Sequence, residues 1–144
     1  MTATMTTQPP SVSFGLPARI VRVVDGDTLL CEATLQEYVR LDGIDTPEKR
    51  VPEQAAAAEV VRRAVIWWFG RQSRASITPV AYDKFGQRLR CTVSGDGGGL
   101  DTWLLSRRLA RPYHGERKQA WTQHELDLIL AQAADFTDEE EKGE

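Results

Sequence analysis

Within residues 39–49, VRLDGIDTPEK, the charged side chains of Arg40, Asp42, Asp45 and Glu48 crowd into nine positions. Carboxylates can hold a hard cation or move a proton, and a guanidinium can clamp an anion with its planar fork. The same letters also spell a helix start. Asp45 or Thr46 would be the N-cap, Pro47 the first helical residue, and Glu48 an acid favoured by the helix dipole. On this stretch alone both readings stay open. Two further stretches add groups of the same kind: residues 24–28, VDGDT, with Asp25 and Asp27, and residues 82–88, YDKFGQR, with Lys84, Gln87 and Arg88.

These groups need elements to aim them. Residues 18–24 and 28–33 read as strands joined through Asp25-Gly26, a common hairpin dipeptide, and residues 36–41 as a third strand, which together suggest an antiparallel meander. Residues 53–69 carry Ala57, Val60, Val61, Ala64, Val65 and Trp68 at helical spacing and close near Gly70. Residues 75–81 form a strand that Pro79 restricts to an edge or an end. In residues 88–93, Leu89, Cys91 and Val93 alternate with Arg88, Arg90 and Thr92, the pattern of a strand with one apolar face. Residues 95–99, GDGGG, lack the Gly-Lys-Ser/Thr ending of a phosphate loop and read as a turn.

A helix opened by Asp101 or Thr102 runs to Ala110, and Thr122 with Glu125 forms a capping box for a last helix bearing Leu126, Ile129, Leu130 and Ala133. Five short strands with three helices predict an α+β chain built on a five-stranded Greek-key barrel of the oligonucleotide-binding (OB) type. Residues 1–16 read as a disordered arm, 17–134 as the folded domain and 135–144 as an acidic disordered tail.

Composition frames the rest. With 144 residues, 41% hydrophobic and 27% charged, the chain suits one soluble domain, and no apolar run approaches the ~20 residues of a membrane span. The N-terminal residues are polar and Pro-broken, unlike a secretory leader, so a cytoplasmic location is expected. Cys31 and Cys91 are far apart and read as free buried thiols. The net charge of −3 hides a division: residues 135–144 hold six acids and one Lys, leaving residues 1–134 at +2. That tail reads either as a solvated run or as a nucleic-acid mimic.

The order and spacing of VDGDT, RLDGIDTPE and YDKFG closely resemble the staphylococcal nuclease (thermonuclease) family over roughly residues 17–134. The resemblance implies calcium-dependent hydrolysis of DNA and RNA to 3′-phosphate ends by a monomer. It implies that Asp27, Asp45 and the Thr46 carbonyl hold Ca²⁺, that Glu48 is the general base and that Arg40 clamps phosphate. Two carboxylates and a carbonyl suit a hard cation and leave room for water and a phosphate oxygen. Asp25 is expected to shape the turn.

The family's turn ends in Arg, a second phosphate clamp, where this chain has Gln87; Arg88 follows on the opposite strand face unless the turn shifts by one residue. A non-cutting OB-type nucleic-acid-binding module is therefore the alternative. Arg88, swung in by such a shift, is the candidate second catalytic clamp, and Lys84 at the turn tip, Gln87 as a hydrogen-bond donor and Tyr113 in residues 109–113, LARPY, are candidate substrate contacts. For Tyr113, ordinary packing with a bonded hydroxyl is equally open. Trp67, Trp68 and Trp103 read as core aromatics, and His114 and His124 have no partner at catalytic spacing.

Overall fold

The structure, a computed structural model, describes residues 2–7, 14–33, 38–82 and 88–136. In chain order the elements are β1 (Thr2–Thr7), β2 (Phe14–Asp25), β3 (Thr28–Ala33), β4 (Val39–Leu41), β5 (Ile44–Asp45), α1 (Ala55–Gly70), β6 (Ser76–Tyr82), β7 (Leu89–Gly95), β8 (Gly98–Gly99), α2 (Leu100–Ser106), β9 (Arg111–Pro112) and α3 (Gln123–Leu130), with a 3-10 turn over Ala133–Phe136. The chain is α+β, as its sequence predicts, with three α-helices among the described residues. Among the described residues the sheets run β1-β2-β3, β4-β7-β6 with β8 beside β7, and β5-β9, and none closes into a barrel. No described helix is long and apolar enough to cross a membrane.

The chain divides into two compact units, Met1–Arg40 with Val80–Arg90, and Leu41–Pro79 with Cys91–Glu144. In the first, β2 and β3 form the expected hairpin, with Asp25 opposite Thr28, so Gly26 and Asp27 make the turn. The segment read as a loose arm contains β1, antiparallel to β2 from Thr2↔Arg19 to Thr7↔Phe14. Its alternation of Thr with apolar residues suits an extended chain. The third strand differs from the meander expectation: β4 lies beside β7 rather than β3. Cys31, half-buried on β3, belongs to this unit.

The second unit holds the main core: Val60, Val61, Ala64 and Trp68 of α1, Cys91 and Val93 of β7, Leu104 of α2, and Leu126 and Ile129 of α3, closed by Phe136. Cys91 is fully buried. Burial, with the nearby Asp42 carboxylate, pushes its thiol pKa up. Trp67 stacks on Trp103 with centroids 5.7 Å apart, and Phe136 meets both edge-on; Trp68 is buried in the core as expected, while Trp67 and Trp103 are half-buried against it. β6 ends its sheet, the position Pro79 requires, while Arg90 on β7 is half-buried rather than solvated.

Helix boundaries expose what pattern alone misses. The capping box of α3 is complete: Thr122 Oγ1 accepts from the Glu125 N–H at 3.1 Å, and Glu125 Oε1 accepts from the Thr122 N–H at 2.8 Å. By contrast α2 stops at Ser106 instead of Ala110. Arg108 takes φ 59, its N–H bonds Leu105 at 3.1 Å, and the Leu109 N–H reaches back to Leu104 at 3.0 Å. That is a Schellman closure with Arg where Gly is usual, and fully buried Leu104 and Leu109 match its apolar contact.

Candidate active site

The helix-start reading of residues 45–48 does not hold. Asp45 is a strand residue, residues 46–48 are irregular, residues 49–54 run through turns and a bend, and α1 begins only at Ala55 after Gln54, which makes no side-chain cap. Pro52 is the physical reason: within a helix opened at Pro47 it would remove an i→i−4 hydrogen bond and clash with the preceding turn. The acids at 45 and 48 are therefore free of a capping duty.

Asp45 is the anchor. β5 and β9 pair antiparallel with Asp45 opposite Arg111 and Ile44 opposite Pro112. Directly opposed side chains meet, and here Arg111 donates from Nε and Nη2 to the same oxygen, Asp45 Oδ2, at 3.2 and 3.1 Å. The Asp45 side chain is 5% exposed. A carboxylate at that depth without a counter-ion costs several kcal/mol, so the burial demands the pairing. Arg111 is itself tied down. It donates to the carbonyls of Gln119 and Ala120, approaches Glu125 Oε1 at 3.8 Å and lies 4.2 Å from the centre of the Trp121 ring.

The second oxygen faces a different cation. Lys118 Nζ lies 3.1 Å from Asp45 Oδ1 and 3.5 Å from Glu48 Oε1, and 5.3 Å from the Tyr113 ring centre. Glu48 is exposed, and its N–H donates to Gln54 Oε1 at 2.8 Å, which fixes the turn beside Asp45. Tyr113 is held by its backbone, its N–H donating at 2.9 Å to the carbonyl of Gly43, whose φ of 82 favours glycine. A turn at Gly115 leads the chain on toward Lys118. There the His114 N–H donates to both Glu116 oxygens, at 3.1 and 3.2 Å, and this lowers the Glu116 pKa.

Asp45 and Glu48 are thus brought together by Lys118, with the Tyr113 ring beside the same ammonium. Thr46, half-buried, lines an apolar groove of about 330 Å³ with Leu41, Val61 and Leu104. Among the described residues no three His, Cys, Asp or Glu side chains group as a metal site. Yet the donor chemistry suits a hard cation: two carboxylate oxygens converge on one positive atom, and that atom is an ammonium supplied by the chain.

The remaining candidates belong to the first unit. Asp27 is exposed on the β2–β3 turn, where its N–H donates to Asp25 Oδ1 at 3.2 Å and its Oδ1 accepts from Thr28 Oγ1 at 3.0 Å. Hydrogen bonding with the Asp27 side chain, then with its backbone N–H, lowers the Asp25 pKa, in keeping with a turn-shaping role. Arg40 is half-buried in β4, and Arg88 is exposed just before β7. Lys84 and Gln87 lie outside the described residues, as does the tail beyond Phe136.

Sequence reasoning missed Arg111, Lys118 and Trp121. A signal existed in the cations at 111, 117 and 118, set among aromatics in a stretch without helical periodicity. No known protein-family model and no curated protein matches this chain, so its functional reading rests on its own residues.

Proposed function

We propose that the chain is a calcium-dependent phosphodiesterase of the staphylococcal nuclease type, a cytoplasmic monomer that cuts DNA and RNA and leaves 3′-phosphate ends. The observation that carries this is the Asp45–Glu48 pair: a nearly buried carboxylate and an exposed one share a single cation. The OB-type barrel belongs to the same proposal.

In this reading Asp27, Asp45 and the Thr46 carbonyl hold the calcium ion, which when bound supplies charge that polarises the phosphodiester. Glu48, exposed and anchored through its backbone to Gln54, accepts the proton of the attacking water. Arg40 neutralises charge growing on the phosphate oxygens. Arg111 holds Asp45 in place through hydrogen bonds to one of its oxygens, Oδ2.

The test is nicking of supercoiled plasmid with calcium and with chelator. The parent protein should cut only with calcium. Asp27→Ala should lose about 10²-fold or more of that activity while keeping its circular dichroism, because Asp27 is exposed. Calcium-dependent cutting that survives in Asp27→Ala overturns the assignment. A second reading, a nucleic-acid-binding module that does not cut, is favoured by Gln87 standing where the resembled family has Arg. Failure of both the parent and Gln87→Arg to cut would make that the better reading.

A further inference from the structure

We propose that Lys118 is a tethered cation that bridges the Asp45 and Glu48 carboxylates in the metal-free protein and is displaced by the divalent metal when it binds. This inference rests on the metal-dependent reading above. Its geometric basis is the point where the two carboxylates converge: Lys118 Nζ is 3.1 Å from Asp45 Oδ1 and 3.5 Å from Glu48 Oε1. Ca²⁺ binds carboxylate oxygens at about 2.3–2.6 Å. An ion taking Asp45 Oδ1 would thus compete with the ammonium for that oxygen, and once the ammonium leaves, Glu48 is released to act as base.

Of the two cations on Asp45, Lys118 is the one able to leave. Arg111 is pinned by two carbonyls, Glu125 and the Trp121 ring, and its side chain is 21% exposed. The Lys118 side chain is 37% exposed, rides on a flexible four-carbon stem and, among the described residues, pairs with the two carboxylates and the face of Tyr113. Arg111 occupies Oδ2 alone, so it can stay while Oδ1 changes partner. Asp45 therefore has a counter-ion before and after the exchange. The affinity for metal is lowered by whatever the ammonium contributes, because the metal must displace it.

Calorimetric titration of calcium chloride into the full chain tests this, comparing the parent with Lys118→Met and Lys118→Arg. Lys118→Met, which keeps the stem and removes the charge, should bind calcium about fivefold more tightly, at the low end of the usual range of coupled equilibria. Lys118→Arg should stay near the parent. Binding by Lys118→Met alone also supports the exchange, with the lysine then a complete block. Equal affinity in the parent and Lys118→Met overturns the exchange and leaves the metal reading intact, and weaker binding by Lys118→Met does the same. Absence of binding in all three proteins overturns both.

Discussion

At the scale of single residues, the two cations on Asp45 have different duties. Arg111 compensates a side chain that is 5% exposed, and removing it leaves the buried Asp45 Oδ2 without its partner and the charge to Lys118 on Oδ1. Loss of one partner of such a pair costs about 3–5 kcal/mol. Lys118 sits near the surface, where ion pairs contribute roughly 0–1 kcal/mol. Urea unfolding should therefore place Arg111→Ala far below the parent in midpoint and Lys118→Met within a small shift of it. Comparable losses in the two variants would mean that Lys118 is structural too. Neither partner was legible beside Asp45 in the sequence, because Arg111 lies 66 positions away and only the β5–β9 register sets it opposite.

At the scale of elements, local chemistry was readable and competition between signals was not. The capping box of α3 announces itself because both of its bonds lie within four residues. The apolar spacing of residues 53–69 gave α1 and its buried face to within two residues of its start at Ala55, whereas the start signal at Pro47 was a false one, closed off by Pro52. α2 hid its end for the opposite reason: the left-handed position carries Arg108, without the usual glycine. A side chain in that region costs about 1–2 kcal/mol, partly offset by the greater chain entropy that glycine loses on folding. Arg108→Gly should then stabilise the protein by roughly 0.5–1 kcal/mol, read as a raised urea midpoint with an unchanged slope. A lower midpoint would show that contacts of the Arg108 side chain outweigh the strain.

At the scale of the whole molecule, the α+β class and the helix count followed from periodicity, while the pairing of β4 with β7 did not. Strand partners distant in sequence are chosen by packing of many residues at once, and short runs of apolar residues leave that choice open. One consequence follows from where the cysteines fall. Each compact unit contains one thiol: Cys31, half-buried on β3, and Cys91, sealed in the core with its ionisation suppressed. Alkylation needs a thiolate that the reagent can reach. Under native conditions an alkylating probe followed by mass spectrometry should therefore modify Cys31 first, and Cys91 only at the rate at which its unit opens. Across a denaturant series the chain carries its own pair of clocks, and the urea concentration at which the second starts tells whether the two units come apart in succession or together.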